Sequence, residues 1–395
     1  MRKLPGLLLI ISVLLIAVMA TVVTPPETAR AIPAFARKYQ MSCTTCHAPF
    51  PRLKAYGDEF AANGFVLKDK DAPRYFMPTG DEHLELIRDL PLAFRLEGWA
   101  QYQTATDRDV DFTAPYNLKL LSGGAIAPHV SYYFYFFLSE RGEVAGIEDA
   151  FIMFNNLFNT ELDAYIGQFQ ISDPLFKREL RLTYEDFDIY RTKVGESGID
   201  LTYDRGLMLT YGFPSGTDVV FEILNGNGIG PATDEFKTYD NDKYKNFALR
   251  LSQDVMPSLR IGGFGFYGKE NDINPNRVWM AGPDASISYR DIAELNLQYM
   301  ERRDDNPFFA ASKPDEFETR GGLIELILLP DGDRSRWYGV VLYNQVDSDY
   351  DPADYQTITG HIGYLLQTNL RLTVENTYDI ENEEDRFMIG FVTAF

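Results

Sequence analysis

From Pro91 to the C-terminus, apolar residues recur at every second position in runs of about ten residues, with turn residues between the runs. Leu92, Phe94 and Leu96 alternate with Arg95, Glu97 and, further on, Gln101. The pattern repeats where Phe247, Leu249 and Leu251 alternate with Asn246, Arg250 and Ser252, and where Leu295, Leu297 and Tyr299 alternate with Glu294, Asn296 and Gln298. It returns at Leu370, Leu372 and Val374, set against Arg371, Thr373 and Glu375. A soluble sheet hides its apolar side beneath helices or a second sheet, and the sequence offers no segment to build either. Lipid is the simplest cover. The expected fold class is therefore all-β: a transmembrane antiparallel β-barrel of about 16 strands.

Strands are expected to begin near Leu92, Tyr116, Val130, Gly146, Leu162, Ile199, Asp218, Lys245, Arg260, Val278, Glu294, Thr319, Arg336, Tyr355, Asn369 and Arg386. Every second connection is brief, as at Pro128-His129 and Gln367 to Asn369. The others are longer, notably Gln170 to Gly198, Gly226 to Tyr244 and Glu301 to Glu318, and these read as external loops. That alternation places both chain ends in the periplasm. Aromatic residues make up 14% of the chain, with 24 Tyr and 28 Phe, an abundance expected of belts at two membrane interfaces.

Met1 to Ala31 reads as a signal peptide: Arg2 and Lys3, an apolar run from Leu7 to Val23, and small residues at Ala29 and Ala31. A cut after Ala20 and an uncleaved anchor are the competing readings. Loss of residues 1–31 takes basic residues from 37 to 34 and acidic ones from 58 to 57, moving the net charge from −21 to −23. Such a balance repels nucleic acid and attracts cations, so no nucleic-acid partner is expected. Export from a Gram-negative cell into its outer membrane, with that membrane's lipid as a partner, follows from leader and barrel together.

Between leader and barrel, residues 32–90 form a separate segment, with the barrel assigned to 91–395. The segment holds the only two cysteines, in Cys43-Thr44-Thr45-Cys46-His47. Two thiols three positions apart can each add to a porphyrin vinyl group, and the following histidine can reach the iron, so the motif reads as one covalent c-type haem. Cys43 and Cys46 are the attachment residues and His47 the axial ligand. Met77 is the candidate distal ligand and His83 the alternative; Met41, beside the motif, is a third candidate. Pro51 is expected to open a helix through Asn63, with Leu53, Tyr56 and Phe60 on one side and Gly64 as its stop.

His361 alternates with Thr359 and Gly363, so it should face the lumen, where it is either a metal ligand or one polar side chain in a wet channel. No catalytic acid or base is evident. Acidic residues crowd the expected external loops: Asp107, Asp109 and Asp111; Asp234, Glu235, Asp240 and Asp242; Asp347, Asp349, Asp351 and Asp354; and Glu381, Glu383, Glu384 and Asp385. A negative rim of this kind concentrates divalent cations, ferrous iron among them.

The stretch Phe35-Ala36-Arg37, then Cys43 through Leu53, then Gly57, Phe60, Gly64 and Phe65 closely resembles the fused cytochrome-porins of the bacterial outer membrane. Phe65 stands where many members have tyrosine. Beyond Pro91 the resemblance is architectural, and there the terminal strand ending in Phe395 is similar to the closing strand of outer-membrane barrels. Members of that family are iron oxidases in which one N-terminal haem is joined to a sixteen-stranded porin. The resemblance implies haem attachment at Cys43 and Cys46 and ligation by His47. It also implies an outer-membrane conduit that passes single electrons from an extracellular donor, Fe(II) or another, to a periplasmic cytochrome. The haem is expected on the periplasmic side or within the lumen. Outward electron transfer, and a passive porin with a structural haem, are the alternative readings.

Overall fold

The computed structural model describes residues 34–395 except 40, 68–75, 78, 89, 105–109, 234 and 313. The leader, Asp107, Asp109 and Asp234 lie outside the described residues. Two short helices, α1 (Ala34–Tyr39) and α2 (Ala55–Ala62), precede a small antiparallel pair, β1 (Phe76–Met77) and β2 (Leu86–Ile87).

Sixteen strands then close on themselves. They begin with β3 (Leu92–Gln103), β4 (Asp111–Ala127), β5 (Val130–Glu140), β6 (Gly146–Leu157), β7 (Leu162–Gln170) and β8 (Tyr203–Gly212). Next come β9 (Thr217–Leu224), β10 (Asn246–Met256), β11 (Leu259–Glu270), β12 (Asn276–Tyr289) and β13 (Ala293–Asp304). The ring ends with β14 (Phe317–Leu328), β15 (Trp337–Ser348), β16 (Tyr355–Gln367), β17 (Leu370–Asp379) and β18 (Glu384–Ala394). Each strand pairs antiparallel with its sequence neighbour, and β18 pairs with β3 to seal the ring, so no edge is left unpaired. Phe94 and Phe395 exchange backbone hydrogen bonds of 2.8 and 2.9 Å across this seam, and their rings stack at 5.7 Å.

The strand count and the alternation follow the sequence reading. Along β10, Asn246, Ala248, Arg250 and Ser252 are buried inside while Phe247, Leu249 and Leu251 are exposed outside. Exposed aromatics form two rows. Phe213, Tyr289, Trp337 and Phe395 lie toward the short turns, and Phe247, Tyr267 and Trp279 run in cross-strand register toward the long connections. Two strand starts differ from expectation. The second strand begins at Asp111 instead of near Tyr116, because the pairing runs past Pro115 after a register shift opposite Gly98. The sixth begins at Tyr203 instead of near Ile199, whose side chain is buried in the interior loop described next.

That loop, residues 171–202, is not external. It turns back into the barrel, and Ile171, Leu175, Phe187, Ile189, Tyr190 and Leu201 join inward-facing Phe264, Phe266, Met280, Met300, Leu323 and Leu342 in one apolar core. The physical reason is its composition: a segment this rich in large apolar residues loses free energy when it leaves water. The helix expected from Pro51 also starts later, at Ala55, because residues 47–53 are held in a tight turn by a His47 to Leu53 bridge and by Ala48 N–H donating to Arg52 O at 3.2 Å. Tyr56 is 44% exposed and takes no part in the packing side expected for it.

Candidate functional site

Ser42 caps a 3₁₀ turn over Cys43–Thr45, accepting the Thr44 N–H through its hydroxyl. In such a turn residues three apart eclipse, so Cys43 and Cys46 present their side chains on one side. Both are free thiols, half-buried. Burial pushes each above its ordinary value, which keeps the sulfur protonated at neutral pH. Helix α2 presses on the turn from behind at Gly57, where a Cβ would stand 2.5 Å from the Cys46 carbonyl oxygen.

His47 Nδ1 lies 2.9 Å from Pro51 O and 3.3 Å from Arg52 O. Both partners are carbonyls and can only accept, so Nδ1 carries the proton and Nε2 the lone pair. Burial lowers the imidazole's proton affinity, against the pull of these two carbonyls, and favours the neutral ring. A backbone carbonyl on Nδ1 is the usual way a metal-ligating histidine is oriented. The donor set therefore fits a c-type haem: two unpaired thiols on one side of a turn, and an imidazole whose free nitrogen is the ligating one.

The segment bearing this turn is bonded to opposite walls of the ring at the short-turn end. On one side Asn155 Nδ2 at the end of β6 donates to Ala62 O at 2.9 Å, and Phe65 stacks on Tyr133 of β5 at 5.2 Å. Across the ring, Arg52 pairs with Glu294 of β13, and Lys54 Nζ lies 2.5 Å from Asp333 Oδ2 in the β14–β15 turn. Gly64 has φ +69° and sits so close to β5 that a Cβ would meet Ser131 Oγ at 2.2 Å, which explains a glycine at the stop position.

Beside the turn lies a cavity of about 160 Å³ between β3–β6 and the interior loop. Phe50, whose ring is 5.3 Å from that of His47, packs against the cluster containing Trp99 and Tyr116, which line this cavity with Tyr184. The loop's edge is held by ion pairs. Arg178 Nη2 lies 2.5 Å from Asp186 Oδ2, Arg181 and Arg191 approach Asp186 within 3.7 and 3.8 Å, and Glu179 pairs with Lys119 of β4. Burial alone would raise the Asp186 carboxyl, but the guanidinium groups overcome it and hold the group well below the usual carboxylate range. Glu179 is brought down to about 2 in the same way, by Lys119, Arg181 and Arg95 against burial.

His361 faces the interior, as its alternation implied, and both its nitrogens are engaged. Nδ1 donates to Glu375 Oε2 at 2.8 Å, and Nε2 lies 3.3 Å from Tyr338 OH. Glu375 also accepts Tyr184 N–H and Glu185 N–H at 2.7 and 2.9 Å, so this network clamps the interior loop to β17. His361 thus joins Tyr338 and Glu375 in the network that holds the interior loop. No group of three His, Cys, Asp or Glu among the described residues is arranged to hold a metal ion.

Of the distal candidates, Met77 is 46% exposed beside Leu84 and Leu86, while its neighbour Phe76 is buried with Tyr39, Phe60 and Phe65. His83 is exposed in a turn, its N–H donating to Asp81 Oδ1 at 2.8 Å. Met41 packs against the Tyr39 and Phe60 cluster. In the outer loops, Asp349 and Asp354 cap backbone N–H groups of Glu318 and Ser348, and Asp351, Glu381 and Glu383 are exposed. The interior loop and its clamp are what sequence reasoning missed; the available signal was the recurrence of large apolar side chains, Leu175, Phe176, Leu180, Leu182, Phe187, Ile189 and Tyr190, among the charges of an assigned loop.

No family model matches the sequence, and no curated protein matches it. Solved structures do. The anion-selective porin from Comamonas acidovorans superposes with a TM-score of 0.55 at 11% identity, over 78% of this chain and 99% of that one. The outer membrane channel DcaP of Acinetobacter baumannii gives 0.56 at 13% identity, over 78% and 97%. Salmonella typhi OmpF, in its complex with daunomycin, gives 0.55 at 11%, again over 78% and 97%. The fold is a porin-like barrel.

Proposed function

We propose that this chain is an outer-membrane electron-transfer protein carrying one c-type haem, attached at Cys43 and Cys46 and ligated by His47. It passes single electrons from an extracellular donor, Fe(II) foremost, to a periplasmic cytochrome. The observation that carries this reading is the His47 ring, fixed by Pro51 O in the tautomer that leaves Nε2 for iron, at the end of a turn with two unpaired thiols. Bound haem would supply one-electron redox chemistry at its iron. The chain's own residues hold the turn in place: Arg52 and Lys54 pin it to Glu294 and Asp333, Gly57 lets α2 back it, and Phe50 shields the side toward the cavity.

An apolar outer face flanked by two aromatic rows suits a lipid bilayer, whose core is about 30 Å thick. Exposed carboxylates on the long connections favour a cationic donor outside and hence inward flow. The barrel fold alone favours a second reading, a passive porin with a structural haem. The apolar core formed by the interior loop speaks against it, because such a filling obstructs the diffusion of hydrated solutes. Met77, with His83 as the alternative, is the proposed sixth ligand.

Purified protein mixed anaerobically with ferrous iron in a stopped-flow spectrometer tests the proposal. Sharp reduced-haem bands are expected, and their absence on a useful timescale removes iron oxidation. Separately, Cys43→Ala with Cys46→Ala is expected to abolish haem staining on a denaturing gel. Replacing Met77 and His83 in turn and measuring the reduction potential identifies the sixth ligand; an unchanged potential in both variants rules out both.

A further inference from the structure

The cavity beside Phe50 is lined by four buried N–H donors without a partner, against one such acceptor, Asn117 Oδ1. Trp99 is 3% exposed and Arg371 2%, yet among the described residues Trp99 Nε1 and Arg371 Nε have no hydrogen-bond partner, and Arg95 Nε and Arg181 Nε share that condition. All four residues line the same cavity. Buried indole and guanidinium N–H groups are nearly always satisfied, so four together mark a place built for an acceptor. The lining carries seven cationic side chains against five carboxylates. Arg371 in particular donates to neutral acceptors, Leu182 O at 3.2 Å and Tyr338 OH at 2.9 Å. The missing acceptor is thus an anion.

Proximity to the Cys43–His47 turn narrows its nature. Phe50 joins the His47 ring to the Trp99 cluster, and Arg95 is among the charges that act on His47. We propose that this cavity receives the two propionate carboxylates of the haem, with Trp99 Nε1 and the guanidinium groups of Arg95, Arg181 and Arg371 as their donors. The inference rests on the haem reading above. The Nη groups of these arginines already have neighbours, Arg95 pairing with Glu97 at 2.6 Å and donating to Glu179 O, and Arg181 donating to Arg178 O and Tyr184 O, so the open donors are three Nε–H groups and one indole N–H, four for the four oxygens of two carboxylates. The interior loop supplies Arg181, so it completes the haem site as well as filling the lumen.

A free anion such as inorganic phosphate would satisfy the same donors, and the test separates the two sources. Trp99→Phe keeps an aromatic ring and the net charge and removes the N–H together with the indole's pyrrole ring; Arg371→Gln removes one charge. In the folded full-length protein carrying haem, the propionate bending band in resonance Raman spectra is expected to shift in both variants. The midpoint potential is expected to fall in Arg371→Gln and to become more dependent on pH. An unmoved Raman band in both haem-loaded variants overturns the proposal. So does a potential of the unmodified protein that tracks added phosphate and loses this response in Arg371→Gln, since the site is then a free-anion site. Failure of the unmodified protein to stain for haem would overturn the functional reading itself, and this inference with it.

Discussion

An alanine at Gly57 would bring its Cβ within 2.5 Å of the Cys46 carbonyl oxygen and 2.9 Å of a Leu53 methyl carbon. Backbone cannot yield as a flexible side chain does, so the turn or the helix must move, at a cost of about 1–3 kcal/mol. Gly57→Ala is accordingly expected to lower the ratio of haem stain to protein without abolishing expression. An unchanged ratio on gels probed for both would show that the turn has slack. Residues whose chemistry is local were legible in the sequence: Cys43, Cys46 and His47 declare themselves by spacing. The tautomer of His47 is not, because its acceptor, Pro51 O, belongs to a turn where the sequence pattern predicts the start of a helix. His361 was legible in direction but not in role, since Glu375 reaches it only through the pairing of β16 with β17.

The interior loop is the element whose behaviour follows most directly from its contacts. Glu375 accepts two loop N–H groups, and bonds to a charged acceptor are worth about 1.5–3 kcal/mol each, so Glu375→Gln is expected to release the loop around Tyr184. Faster proteolysis within residues 171–202 and a larger single-channel current in planar bilayers are the expected readouts; a current equal to that of the unmodified protein would mean the apolar contacts suffice. The ion pairs add a dependence on pH. Glu179 titrates at about 2 in the folded chain against about 4.3 for an unperturbed glutamate. Its contribution is therefore complete above about pH 4.3 and fades as the solution is acidified toward pH 2. Asp186, also depressed, behaves with the same sign. Protease protection of the loop is thus expected to hold from pH 7 to about 4.3 and to decline below it. Strands were legible because lipid on one side and interior on the other impose a strict period of two. The loop was not, because burial on an irregular backbone leaves no period to read.

For the molecule as a whole, adjacent residues on one strand report two different environments. Leu323 is 2% exposed and belongs to the inner core, whereas Ile324 is 48% exposed on the outer face. Leu323→Ala is expected to cost about 2–5 kcal/mol in urea unfolding from detergent micelles. Ile324→Ala should cost less, since surrounding lipid or detergent closes over the lost atoms. Equal losses would show that the interior is wet. The apolar core inside the wall has a consequence for handling. A water-filled barrel owes nearly all of its hydrophobic cohesion to the amphiphile around it, but here a share is enclosed by the chain itself. That share travels with the protein through delipidation or an exchange of surfactant, so tolerance of such treatments becomes a property of residues 171–202 as much as of the belt outside.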